Sequence, residues 1–210
     1  MRNYFILILL LAGAVVSCGR SSEKHADTDS VDYDTIPAEA PDTVADYTLT
    51  PSGVGPVAMG EKAGEWPESI EGLYDYVESD TGNGVDQYNF YSDQNVAFTV
   101  LDFGEGKVDL VILGDSGLGA SPNEDGEKVS LRVGSPFADV LALPGVEAVW
   151  EELDEEGMWY WRAGGLWFAP AQDRLPHALA DALYDGRHAP DPALFTDDVV
   201  IGYIGTGLPF

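Results

Sequence analysis

Tyr88-Asn89-Phe90-Tyr91 and Val96-Ala97-Phe98-Thr99-Val100-Leu101, in the first half of the chain, have counterparts in Met158-Trp159-Tyr160-Trp161 and Leu166-Trp167-Phe168 in the second. Both sets are aromatic and β-branched runs bounded by turn residues, the composition of strands on a pleated, partly buried surface. The match extends outward from these runs. Val57-Ala58-Met59-Gly60 precedes the first set and Leu131-Arg132-Val133-Gly134 the second, each a short strand followed by a glycine turn. Val108 to Gly117 closes the first set and Val199 to Gly207 the second. The chain therefore reads as a tandem repeat, with copies at about 53–117 and 128–207. The loop Ser116 to Lys128, rich in Gly, Ser, Pro, Asn and Asp, is the seam between them.

Between each glycine turn and the β runs lies an apolar-spaced segment about one helix long: Pro67, Ile70, Leu73 and Tyr76 in the first copy, Pro144, Val146, Val149 and Trp150 in the second. Two β-α-β-β-β units follow from this reading. The expected fold class is α+β, a curved antiparallel sheet with helices on one face. The second copy also carries an insertion, Ala169 to Asp198, where Leu175, Leu179, Ala182 and Leu183 are spaced for a short helix starting near Pro176. With Gly55-Pro56-Val57-Ala58-Met59-Gly60 as a GxxxxG strand-turn lead-in, the layout resembles the tandem-repeat family of the β-lactamase inhibitory protein and the related small domain of an outer-membrane assembly lipoprotein. That resemblance implies a helix after each lead-in and then a curved antiparallel sheet.

The N-terminus supplies an address. Arg2 is a positive n-region, Tyr4 to Val16 is an apolar run, and Val15-Val16-Ser17-Cys18 resembles the lipobox of bacterial lipoproteins. A spanning helix needs roughly 20 apolar residues, so this run suits a secretory signal at 1–17 that a peptidase removes. The sole cysteine stands at the cleavage position. By resemblance to the lipoproteins, Cys18 is the lipid attachment site, and Gly19 in place of aspartate after it implies the outer membrane. Residues 18–47 hold many acidic side chains, two prolines and almost no large aliphatics, a composition that cannot bury enough surface to offset chain entropy. They read as a disordered tether, His25 included, and residues 48–210 as the globular domain.

The chain carries 37 acidic and 10 basic residues, a formal charge of −27. Nucleic acid is excluded as a partner, because binding a phosphate polymer relies on Lys and Arg displacing its counterions. With Cys18 committed to lipid, no disulfide can form within the mature chain, and the fold must rest on its core.

Chemistry-bearing motifs are sparse. Gly114-Asp115-Ser116 after an apolar run, with Asp185-Gly186-Arg187-His188 downstream, looks like the opening and closing blocks of the Gly-Asp-Ser hydrolases. Ser116 would be the nucleophile, His188 its base and Asp185 the group that orients the base. The interval between Ser116 and His188 is too short for the β-α units that family places there, and no Gly-x-Asn-Asp block supplies oxyanion donors. Ser121-Pro122-Asn123-Glu124-Asp125-Gly126 looks partly like a calcium loop, but Arg132 occupies the twelfth position, where a bidentate glutamate is required. His177 and His188 lack zinc-ligand spacing. No cofactor or metal is expected.

The remaining feature is aromatic. Trp150, Trp159, Tyr160, Trp161, Trp167 and Phe168 crowd together, and strand alternation puts Trp159 and Trp161 on one face with Tyr160 and Arg162 on the other. Trp and Tyr dominate interface hot spots, so Trp159, Trp161 and Trp167 form the expected partner surface, with Trp159 and Trp161 exposed. The resulting functional expectation is a non-catalytic, membrane-anchored module that binds another envelope protein. The alternatives are a small serine hydrolase using Ser116, His188 and Asp185, and a spacer lipoprotein, which would expose no large aromatic patch.

Overall fold

The computed structural model divides the chain into two units, Met1–Val44 and Ala45–Phe210. Residues 47–114, 117–122, 131–153 and 156–207 are described, all of them in the second unit. In chain order the elements are β1 (Thr48–Leu49), β2 (Gly53–Val54), β3 (Val57–Ala58), β4 (Tyr76–Gly82), β5 (Val85–Ser92), β6 (Asn95–Asp102), β7 (Leu110–Leu113), β8 (Gly119–Ala120), α1 (Phe137–Leu141), β9 (Glu147–Leu153), β10 (Glu156–Ala163), β11 (Leu166–Pro170), α2 (His177–Leu183) and β12 (Ile201–Gly207). Eight strands form one antiparallel sheet in the order β4-β5-β6-β7-β12-β11-β10-β9.

The protein is thus mostly β, which corrects the α+β expectation. The two α-helices among the described residues are 5 and 7 residues long and do not make a helical layer over the sheet. The first expected helix is absent because its segment is broken by Pro67 and by Gly64 and Gly72, which take φ of 85° and 78°. Its apolar residues are those of a folded-back loop. Ile70 bridges Tyr74, whose hydroxyl donates to the Pro67 carbonyl at 2.8 Å, and Leu73 and Tyr74 are buried. In the second copy, the segment spaced for a helix around Val146 and Val149 runs into strand β9, where β-branched and aromatic side chains fit the pleat better. The helix of that region, α1, lies upstream and buries Phe137 and Val140. Helix α2 does start after Pro176, which stands at its N-cap, and it buries Leu179 and Leu183.

Main-chain bonds relate the two halves. Gly60 N–H donates to Val108 O at 2.8 Å and Val108 N–H to Glu61 O at 2.9 Å; Gly134 N–H donates to Ile201 O at 2.7 Å and Ile201 N–H to Ser135 O at 2.8 Å. Both glycines take the left-handed φ that this turn needs, 76° and 87°. Val108 therefore corresponds to Ile201. With that correspondence the pair Ile112–Gly205, where β7 meets β12, maps onto itself and marks a local pseudo-two-fold axis. Carried across the ladders, the register equates Phe98 with Leu166 and Tyr88 with Trp161. Matching by residue likeness had set Tyr88 against Met158. The shift of three residues is odd, so it exchanges the faces of the strand.

Two-residue turns join the meanders. Asn83-Gly84, Asp93-Gln94 and Gly164-Gly165 all have positive φ at both positions, as type I′ hairpins require. One face of the sheet is packed. Phe90 stacks on Phe98 at 4.2 Å, Tyr74 meets Phe90 edge-on at 4.8 Å, and Trp161 meets Phe137 and Phe195 edge-on, each at 5.0 Å. Buried residues from the small strands, the loops and both helices, among them Leu49, Val57, Leu73, Val140 and Leu179, join the same cluster.

Candidate binding face

Alternation along the strands assigns the other face of the sheet. Its central feature is one row that crosses all eight strands through successive register partners: Glu78, Asn89, Thr99, Ile112, Gly205, Trp167, Arg162 and Glu147. The row is set out about the pseudo-two-fold axis and has a glutamate at each end. On the first half, Asn89 Oδ1 accepts from Thr99 Oγ1 at 2.8 Å and from Gln87 Nε2 at 2.9 Å. Asn89, Thr99, Gln87 and Ile112 are all half-buried. Beside them Tyr76 and Tyr91, cross-strand partners on β4 and β5, stack at 4.7 Å with an interplanar angle of 8°. Tyr76 is 41% exposed. Burial, and secondarily Glu78 beside it, pushes the Tyr91 phenol up.

On the second half the same face is closed by its own side chains. Arg162 lies over the Trp167 ring at 5.5 Å while its Nη2 donates to Glu147 Oε2 at 3.0 Å. Tyr160 and Tyr203 meet edge-on at 6.1 Å. Both phenols are pushed far up, chiefly by burial, then by Tyr184 and Glu151 for Tyr160 and by Tyr160 for Tyr203. Gly205 leaves the room that the Tyr203 ring occupies, since a Cβ there would stand 2.8 Å from the Tyr203 hydroxyl.

The expected partner surface is rearranged by this geometry. Alternation is as read, with Trp159 and Trp161 opposite Tyr160, but the tryptophan pair faces the core. Trp161 is only 4% exposed and Trp167, on the other face beneath Arg162, only 6%. Trp159 is half-buried against the core cluster and donates from Nε1 to Asp185 O at 3.1 Å. None of the three is a free aromatic surface. Arg162 covers Trp167. On the face opposite the core, Tyr76 and Tyr91 reach solvent in the first half; in the second half Tyr203 is half-buried on that face beneath its contact with Tyr160, and Tyr184, at the C-cap of α2, is 53% exposed. The signal of the first-half pair is visible in Gln87-Tyr88-Asn89-Phe90, where polar and aromatic residues alternate with the period of a strand that has one wet face.

Of the hydrolase residues, Ser116 lies outside the described residues. Asp185 and His188 follow α2, and His188 is exposed. The Asp185 carboxylate is engaged by Arg187, with Nε to Oδ1 at 2.8 Å and Nη2 to Oδ2 at 3.2 Å, and Arg187 holds it below the usual carboxylate range. His177 opens α2 and is exposed. Cys18, and Asn123 to Gly126 of the calcium-like loop, lie outside the described residues. Among the described residues no three His, Cys, Asp or Glu side chains are grouped to hold a metal ion.

No protein-family model matches this chain, and no curated protein matches it. Among solved structures it is similar to the uncharacterized protein YfeY from Escherichia coli, with 14% sequence identity over 77% of this chain and 99% of that one, at a TM-score of 0.43.

Proposed function

We propose that this protein is a non-catalytic binding module of the bacterial cell envelope, lipid-anchored at Cys18 in the outer membrane, that engages another envelope protein through the first-half surface of its open sheet face. The observation that carries this reading is the Tyr76–Tyr91 stack, a rigid aromatic pair reaching solvent beside half-buried Asn89 and Thr99. Tyrosines supply large contact area with few rotatable bonds, and the flanking amide and hydroxyl groups supply hydrogen bonds, the combination found at interface hot spots. The acidic tether serves to hold the domain away from the lipid.

Two measurements test it. The photo-crosslinker benzoylphenylalanine placed at Tyr76 of the full-length protein in living cells should yield a discrete adduct with another envelope protein, and the same probe at Asp181 on α2 should not. No adduct at Tyr76, or equal adducts at both positions, overturns the binding reading, and the first outcome is that of a spacer. Labelled fatty acid should enter the wild type and fail to enter Cys18→Ala. Label persisting in the variant overturns the anchor.

A further inference from the structure

The edge of the sheet at β4 carries two features that the open face does not explain. Among the described residues β4 has a neighbour on one side only, and nearly all of its residues are exposed. The Asn83-Gly84 turn closes its hairpin on the Gly82–Val85 pair. Alternation from that hydrogen-bonded pair leaves the N–H and C=O groups of Val77, Ser79 and Thr81 pointing away from β5. Alongside this edge runs a groove, mostly on the core side of the sheet, whose lining includes Trp66, Pro67, Glu68, Val77, Ser79 and Tyr88 and reaches Tyr76 at the edge. Trp66 forms its wall, fixed edge-on against Tyr88 at 5.1 Å and Phe90 at 5.2 Å.

Charge identifies what can occupy the edge. Between Lys62 and Lys107 the sequence has no Lys, Arg or His and ten Asp and Glu. Lys62 is itself paired to Glu65 and Lys107 to Glu105. Glu78 and Asp80 project from β4 toward the open face, and both are exposed. A second copy of this edge would set acid against acid, which is destabilising for directly opposed strands.

We propose that β4 accepts an extended basic segment of the partner as a ninth strand, with basic side chains on the open face beside Glu78 and Asp80 and apolar side chains entering the groove beside Trp66. The proposal rests on the binding reading above and adds its mode. Main-chain bonds to Val77, Ser79 and Thr81 give affinity, and the groove and the carboxylates demand strict alternation of apolar and basic residues.

The probe is a labelled, end-blocked peptide as long as β4 that alternates Lys and Val, titrated into the full-length protein in detergent and followed by fluorescence anisotropy. A block isomer, all Lys then all Val, has equal charge but cannot face both sides correctly. It should bind about tenfold more weakly, as several lost cross-strand pairs require. N-methylation of alternate peptide amides should abolish binding without altering the protein. Glu78→Lys with Asp80→Lys should reverse the preference, so that a Glu/Val peptide binds and the Lys/Val peptide does not. Equal binding of the alternating and block peptides, or binding that survives N-methylation, reduces the effect to bulk charge and overturns the proposal. A dimer of the protein alone that is lost on Ser79→Pro would give the edge to a second copy and overturn it as well. If the Tyr76 adduct forms but these peptide results fail, only the added-strand mode falls. If the adduct also fails, the binding reading falls with it.

Discussion

The two halves of the sheet share a strand order and a hydrogen-bonded lead-in, yet they have spent their aromatic residues differently. The β9 to β12 half places Trp161 in the core and covers the opposite face with Arg162 over Trp167 and Tyr160 against Tyr203. The β4 to β7 half builds its core from the Phe90–Phe98 stack and leaves a half-wet face, its charged residues all acidic, with a tyrosine pair at its margin. One scaffold therefore carries a largely self-covered half and a half whose face, among the described residues, stays more open. Equivalent positions in the two halves become internal controls.

The largest expected contrast is between Trp161 and Tyr88, which the register makes equivalent. Trp161→Ala removes a buried ring packed edge-on against the stacked Phe137–Phe195 pair and should cost about 3–5 kcal/mol in a urea titration. Tyr88 is only half-buried, and Tyr88→Ala should cost about 1–2 kcal/mol. Equal losses would break the comparison. Next is Asp102, 2% exposed, whose Oδ1 accepts from the N–H groups of Gly104, Glu105 and Gly106 at 2.8, 2.9 and 3.0 Å. Asp102→Ala leaves those donors without their acceptor and should cost about 1–3 kcal/mol, while Asp102→Asn, which keeps an oxygen, should cost less.

A pH titration ranks the halves: burial raises the phenols of Tyr74, Tyr88 and Tyr91 in the first half, and raises those of Tyr160 and Tyr203 in the second half farthest. The folded-state pKa values of Tyr160 and Tyr203 lie far above that of an unfolded tyrosine, so the fold holds these protons more strongly. Their contribution is fully present below about pH 10 and is lost as pH rises from there toward the folded values. Phenolate absorbance from this pair should therefore appear together with unfolding, and Tyr160→Phe with Tyr203→Phe should move the alkaline midpoint upward. Phenolate signal from the pair while the domain remains folded would sink this assignment. The smallest effect concerns Arg162. Arg162→Ala loses an exposed ion pair and one cation–π contact, and should cost only about 0.5–1.5 kcal/mol.

Much of the sheet was legible. The aromatic runs at 88–91, 96–101, 158–161 and 166–168 all fall in strands, and the apolar spacing after Pro176 falls in α2. The helices expected at Pro67 and Pro144 failed because three or four spaced apolar residues describe a folded loop or an edge strand as well as a helix. Length and the flanking glycines had to arbitrate. Period two fixed that Trp159 and Trp161 share a face but not which face is core, since both faces of β10 carry aromatics. Apolar spacing reads Tyr76 into a helix and hides it as a surface residue, although Asn83-Gly84 is a strong short-range signal that the segment before it is the first arm of a hairpin.

Glu78 and Glu147 offer the most direct test. They are the same residue type at the two ends of one transverse row, on the two edge strands, and both are exposed. Benzoylphenylalanine at each position in the full-length protein, irradiated in cells, compares the halves under identical chemistry. The expected result is an adduct with another envelope protein from position 78 and none from position 147. Equal yields from both positions, or an adduct from position 147 alone, would contradict the assignment of recognition to the first half.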